Sequence, residues 1–210
     1  MSSELPEDTF TEIIAELERK PLRKNTERQT SGVGMSQAFH LVNRRLCPPD
    51  YSRNNWQRPY LYKLLLDFAQ KYVDIPWNGI MVNQNYKADP HKDKGNTGVS
   101  YLVAFGDYTG GELRIHEGPN AGLHDINRKP IKEDFSKVLH SVEPFEGHRY
   151  SLVFYTLRRE VPSNVPPSSV VLVDGKWRFK RGEEFCTKLY DHPLIGRKIE
   201  RKQNVVVSFS

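Results

Sequence analysis

Residues 79–93 read GIMVNQNYKADPHKD, and residues 137–156 read KVLHSVEPFEGHRYSLVFYT. Each joins a short β-rich run to a histidine. In the first, His91 and Asp93 stand two apart just beyond the run. Side chains on an extended segment alternate with period two, so both point to one side. An imidazole nitrogen and a carboxylate oxygen can then reach a common ion. In the second, His140 lies inside an apolar run, with Arg149 nine residues on and Ser151 two beyond that.

The same texture extends outward. GVSYLVAF (98–105) and GGELRI (110–115) lie between the two stretches, separated by turn residues. Repeated short strands with Gly, Asp and Pro punctuation predict a β-sandwich or barrel. SVVLV and KWRF flank Asp174-Gly175, a two-residue hairpin signal. Residues 117–134 read as a long polar loop. Upstream, Phe10, Ile13, Ile14 and Leu17 recur at helical spacing within Asp8–Lys20, with Asp8 or Thr9 as a cap. A second helix is expected from about Pro59 to Val73, with Leu61, Leu64, Leu65, Phe68 and Tyr72 on one face. Residues 21–36 read as a linker or loop.

The chain has 210 residues, enough for one domain with trimmings at roughly 150 per domain. Ten Tyr, ten Phe and three Trp exclude disorder throughout. No stretch approaches the roughly 20 apolar residues that cross a bilayer, so no membrane partner is expected. The acidic start MSSELPEDTF lacks the apolar core of a secretory signal. Two cysteines, Cys47 and Cys186, without CxxC spacing, exclude a disulfide scaffold or a Cys-rich zinc site. An intracellular, reducing compartment is the expectation, nucleus or cytoplasm, with a viral origin open. Net charge is +5, and Asp174–Ser210 carries nine Lys and Arg against five Asp and Glu. Such a segment attracts polyanions, although it also suits a solvated surface.

Two imidazoles and a carboxylate on one face of an octahedron leave three positions open, the ligand set of non-haem Fe(II) oxygenases. His140 is preferred as the third ligand. Its rival His148 adjoins Arg149, so the two face opposite ways on a strand, and it lies in an E-G-H turn. His116 and His124 read as solvated or substrate-facing. Arg149, opening an apolar strand, suits bidentate capture of a carboxylate, with Ser151 adding a donor. Taken singly, each feature also has a plain reading: a surface His beside a loop Asp, or an Arg on an edge strand.

The order VNQNYKADPHKDKGN, SYLVAFGDYTGGELRI, LHSVEPFEGHRYSLVFY resembles the Fe(II)/2-oxoglutarate-dependent oxygenase superfamily over roughly Asn78 to Leu157. The resemblance implies a mainly β chain with flanking helices (α+β), built on a double-stranded β-helix (jelly-roll) core at residues 37–160. Residues 1–36 would form an N-terminal helix and linker, and 161–210 a basic hairpin and extension. It implies His91, Asp93 and His140 as iron ligands and Arg149 and Ser151 on the distal carboxylate of 2-oxoglutarate. Asn83, Asn85 and Tyr86 would face that co-substrate. Fe(II), 2-oxoglutarate and O2 are the implied cofactors, with ascorbate as a reductant. Metal binding needs neutral imidazoles, so affinity should fall in acid.

Within the superfamily, GDYTGGEL and HSVEPFEGHRYSLVFY look most like the TET/JBP branch, which oxidises the methyl group of 5-methylpyrimidines in nucleic acid. The Cys-rich zinc region of that branch's animal members is missing here. A base must leave the duplex to reach the iron. Arg44, Arg45, Arg53 and Arg58 are candidates for a phosphate-gripping rim, and Trp56, Tyr60 and Trp77 for stacking faces. Two alternatives stand beside this reading: a protein hydroxylase of the prolyl type acting on a peptide, and a catalytically silent binding domain. The sequence leaves the oligomeric state open.

Overall fold

The computed structural model describes residues 4–23, 32–44 and 47–186. A 3-10 turn at Glu7–Phe10 runs into helix α1, Thr11–Arg19. Phe10, Ile13 and Leu17 are buried, as their spacing predicts. Neither Asp8 nor Thr9 caps it: the helix grows directly out of the 3-10 turn, without a side-chain cap. Thr9 Oγ1 instead lies 3.3 Å from Tyr72 Oη.

The strands β1 (Gly32–Arg44) and β2 (Cys47–Tyr51) precede two helices, α2 (Asn54–Gln57) and α3 (Pro59–Tyr72). Pro59 sits in the first turn of α3, where its missing N–H costs no helical hydrogen bond. β3 (Gly79–Ala88), β4 (Asn96–Gly110), β5 (Leu113–Ile115), β6 (Gly122–His124), β7 (Ile131–Glu133), β8 (His140–Val142) and β9 (Phe145–Leu157) follow. They form a major sheet ordered β2-β1-β3-β9-β4-β7 and a minor sheet ordered β6-β5-β8. The two sheets are the walls of a jelly roll.

Alternation along the central strands sets what each face does. Ile80, Val82, Tyr101, Val103, Phe105, Leu152 and Phe154 point to the helices and build the larger core with Phe10, Leu61, Leu65 and Phe68. Leu102 and Ala104 point the other way, into a smaller core with Leu113, Ile115, Ile126 and Phe135 between the sheets. Burying each large side chain contributes about 1.5–3 kcal/mol.

Three sequence expectations are corrected. Residues 32–36, expected in a linker, are strand: Gly32 pairs with Ala88 and Ser36 with Asn83 of β3. The loop at 117–134 contains β6 and β7, and Ile126 within it is buried. Its backbone is tied to β4, with Ala104 N donating to Ile126 O at 2.9 Å and Arg128 N to Ala104 O at 2.8 Å. Arg149 does not open its strand. β9 starts at Phe145 because β4 continues to Gly110 and pairs with it, Gly147 lying opposite Tyr108. His148 is thus a strand residue rather than part of a turn.

β10 (Ser168–Val173), β11 (Lys176–Arg181) and β12 (Glu184–Phe185) form a separate sheet. Asp174 and Gly175 take φ of 49° and 69°, the two left-handed residues of the tight hairpin that Asp-Gly predicts. Phe179 of β11 packs on Tyr51 and Tyr62, and Arg181 lies 3.3 Å from Asp50, so the hairpin sits on the helix side. The rest of the basic C-terminal region, residues 187–210, lies outside the described residues. No helix among the described residues is long and apolar enough to cross a membrane.

His40 of β1 has a left-handed backbone, φ 60°. Its Nδ1 lies 2.6 Å from Tyr62 Oη, and its ring contacts Tyr51 and Trp77. Burial lowers its pKa from 6.5 to about 4. The unfolded chain therefore binds this proton first as pH falls, so the contribution is complete above about pH 6.5 and is lost toward pH 4. Between pH 7.5 and pH 5 unfolding free energy is expected to fall by about 2 kcal/mol from this residue. Urea melts of wild type and His40→Asn, whose asparagine tolerates the backbone, check it: the variant should lack that part of the pH slope.

Candidate active site

β3 ends at Ala88, and the chain turns through Asp89 and Pro90 to His91. His91 and His140 form a reciprocal backbone pair, each N–H donating to the other's carbonyl at 3.0 Å. Asp93 N donates to Phe135 O at 2.9 Å. The backbones of all three residues are thereby fixed. His91 Nε2 lies 3.5 Å from Asp93 Oδ1, and one ligand atom from each of His91, Asp93 and His140 falls within 4.8 Å of the others.

The imidazoles are oriented by their second nitrogens. His91 Nδ1 lies 2.7 Å from Asp89 O and His140 Nδ1 3.2 Å from Val138 O. A ring that donates Nδ1–H to a carbonyl presents the Nε2 lone pair to an ion. Phe135 packs on the His140 ring at 4.6 Å between centroids. Burial pushes the His140 pKa down. Burial also depresses His91, but the hydrogen bonds to Asp93 and to the Asp89 carbonyl outweigh it and raise its pKa. This donor set, two neutral nitrogens and one carboxylate on one rim, fits a ferrous ion.

One cavity of about 150 Å³ is lined by all three residues and by Arg149, Ser151, Asn83 and Tyr86. Arg149 is only 2% exposed. Among the described residues no carboxylate pairs with it, and its Nε has no hydrogen-bond partner. Burial lowers its pKa, partly offset by the Tyr108 phenol. A buried guanidinium without an anion is costly, so the cavity fits a ligand that brings a carboxylate. Asn83 Nδ2 donates to Ser151 Oγ at 3.0 Å, which leaves the serine proton for an acceptor inside the cavity.

Asn85 does not line the cavity. Its φ is +49° and β3 bulges here, Asn85 and Tyr86 together lying opposite the single residue Gly34 of β1. That irregularity reverses the alternation: Met81 and Asn83 face inward, then Tyr86 and Ala88 do. Asn85 Oδ1 instead accepts from Arg149 N at 2.9 Å, steadying the strand that carries the guanidinium. His148 is exposed and turned away from Arg149. His116 Nε2 lies 2.8 Å from Ser141 Oγ, and His124 Nε2 2.8 Å from Asn120 O; neither lines the cavity. Sequence reasoning missed Asn96, which does. Its Nδ2 lies 3.4 Å from Asp93 Oδ2. Its place three residues after Asp93, at the first position of β4, was the available signal.

Arg58 and the expected stacking residues do not reach this mouth. Arg58 is buried and donates to Gln37 Oε1 and to the carbonyls of Glu16 and Lys20. Tyr60 donates to Glu12 and stacks on Trp177, and Trp77 packs edge-on against Phe154. Trp56 also packs on the helix-side core. All four sit on the face of the major sheet away from the cavity. Arg45 lies outside the described residues.

No family model matches the sequence, and no curated protein matches it either. Solved structures do match the fold. NgTET1, solved in complex with 5mC DNA, superposes with a TM-score of 0.51 at 14% identity, over 73% of this chain and 69% of that one. A 2OG-Fe(II) oxygenase family oxidoreductase from Burkholderia pseudomallei gives 0.51 at 17% identity, over 71% and 82%. A prolyl-4-hydroxylase from Pseudomonas putida gives 0.46 at 17%, over 76% and 91%. The chain has the double-stranded β-helix fold of the 2-oxoglutarate/Fe(II) oxygenases, with mostly antiparallel strands and flanking helices.

Proposed function

We propose that the chain is an Fe(II)- and 2-oxoglutarate-dependent dioxygenase that oxidises the methyl group of a methylated pyrimidine base in nucleic acid. One observation carries the reaction type: a buried guanidinium lacking a carboxylate partner opens into the same cavity as a His-Asp-His cluster. His91, Asp93 and His140 would hold the iron, and Arg149 with Ser151 the distal carboxylate of 2-oxoglutarate, Asn83 and Tyr86 lining the space between. Bound together, iron and 2-oxoglutarate supply an O2-dependent oxidation, with release of succinate and CO2, that no amino-acid side chain can perform.

The protein's own contribution is geometric and electrostatic. The reciprocal backbone pair sets the spacing of the two imidazoles, and the carbonyls of Asp89 and Val138 select their tautomers. The Asn83–Ser151 hydrogen bond aims a hydroxyl proton beside the guanidinium. Leu102, Leu113, Phe135 and Val153 add apolar wall, which would limit water at the reacting centre. The choice of a pyrimidine methyl group rests on the GDYTGGEL and HSVEPFEGHRYSLVFY segments. The likeness of fold to NgTET1 is compatible with it.

The test begins with Fe(II) and 2-oxoglutarate binding under anaerobic conditions. Aerobic reactions with 5-methylpyrimidine oligonucleotides and with peptides, read by mass spectrometry for an added oxygen, then assign the target. Succinate release coupled to oxidation of the oligonucleotide is expected, with binding that weakens steeply as salt rises. Oxidation of peptides alone would transfer the assignment to a protein hydroxylase. Absence of 2-oxoglutarate binding would remove the dioxygenase reading altogether.

A further inference from the structure

Tyr108, Gly111 and Phe145 lie outside the cavity wall, yet all three touch Arg149. Its guanidinium carbon lies 5.4 Å from the Tyr108 ring centre and 5.7 Å from that of Phe145. The two rings meet edge to face, 6.4 Å apart at 75°, and form an angle in which the cation rests. Attraction of a cation to a ring face strengthens as water is excluded, and Arg149 is nearly fully buried.

Gly111 closes the remaining side. A Cβ added there would stand 2.9 Å from Arg149 Nε, 3.0 Å from its Cδ and 3.0 Å from Phe145 Cβ. The glycine is held in place, since Gly111 N donates to Pro144 O at 2.9 Å. Its φ of +70° adds a second reason for glycine. Because Nε has no partner, no hydrogen bond at that atom fixes the stem. Ring faces on one side and a bare backbone on the other do so instead. This gives Gly111, between β4 and β5, a physical role.

We propose that Tyr108, Phe145 and Gly111 form a seat that presets the Arg149 guanidinium, making Tyr108 and Gly111 positioning residues for the far carboxylate of a dicarboxylic 2-oxo acid. The inference rests on the reading of Arg149 under Proposed function. The seat confers selectivity for a dicarboxylate over a monocarboxylate of equal length. A displaced guanidinium loses the bidentate geometry that only the second carboxylate uses.

Calorimetric titration of the full chain loaded with Mn(II), a stand-in that does not turn over, tests it with two ligands. One is 2-oxoglutarate and the other 2-oxopentanoate, which lacks the far carboxylate. Wild type should prefer 2-oxoglutarate, and Arg149→Leu should abolish that preference. Gly111→Ala and Tyr108→Leu should weaken 2-oxoglutarate binding about tenfold, the order expected for loosening one hydrogen bond between charged groups. Both should leave Mn(II) and 2-oxopentanoate affinity unchanged. If Gly111→Ala does not fold, Tyr108→Leu, at a half-buried position with ordinary backbone, decides alone. Should Arg149→Leu lose the preference while the seat variants keep it, the seat is refuted and the reading of Arg149 stands. Equal weakening of both ligands would reduce these residues to structural support and also refute the seat. Equal preference in wild type and Arg149→Leu would remove the reading of Arg149 itself.

Discussion

Asp93→Ala is expected to abolish succinate formation, and to weaken Fe(II) binding by at least about a hundredfold. The latter is the upper end of what losing a mere supporting partner of a metal ligand costs. Asp93 supplies the only carboxylate in the His91–His140 cluster, and its oxygen lies 3.5 Å from His91 Nε2. Removing it leaves two neutral imidazoles, with one ligand of three lost and no negative charge in the cluster to balance the ion. The fold should survive: Asp93 is partly exposed, and its backbone N–H bond to Phe135 needs no side chain. Metal titration of the folded variant, with circular dichroism as a control, separates loss of the site from loss of structure. Retained succinate formation would exclude the assigned triad.

Phe154→Ala is expected to destabilise the chain by about 3–5 kcal/mol, a large share of a typical domain's 5–15 kcal/mol. Phe154 is fully buried on β9, an inner strand of the major sheet. Its ring stacks on Phe68 of α3 at 5.7 Å and meets Trp77 and Tyr101 edge-on. The alanine variant would leave a cavity walled by aromatic rings, which relax little because each packs on other neighbours. A urea melt with unchanged m-value measures the loss; a shift below about 1 kcal/mol would mean the helices collapse into the gap. The neighbouring Val153 faces the cavity instead, so β9 separates a stability face from a site face.

That separation explains what was legible in the sequence. Period-two alternation puts Ser151 on the face of Arg149, and the structure brings both into the cavity while Tyr150, Leu152 and Phe154 enter the helix-side core. The α3 helix was legible because its apolar residues repeat at helical spacing and Pro59 marks its start. The Asp-Gly turn was legible because only left-handed residues fit it. What escaped depended on distant partners. Residues 32–36 carry too few apolar side chains to read as strand, and are ordered by the ladder to β3. Asn85 defeats the alternation rule because β3 carries an extra residue there, fixed by its pairing to β1, which shifts the phase of the residues after it. Arg58 looked like surface charge, and its burial is explained by carbonyls of the N-terminal helix that no local pattern reveals. The His91–Asp93 pair is a weak signal by spacing alone, and His140 is preferred over His148 because His148 adjoins Arg149; the structure brings His91, Asp93 and His140 within 4.8 Å of one another.

The paired amides of His91 and His140 tie the end of a major-sheet strand to the first residue of a minor-sheet strand. A hinge that let the two walls gape would have to break both bonds at once, and would pull the imidazoles apart as it did so. The lip that carries the proposed iron ligands is therefore fastened through its own backbone.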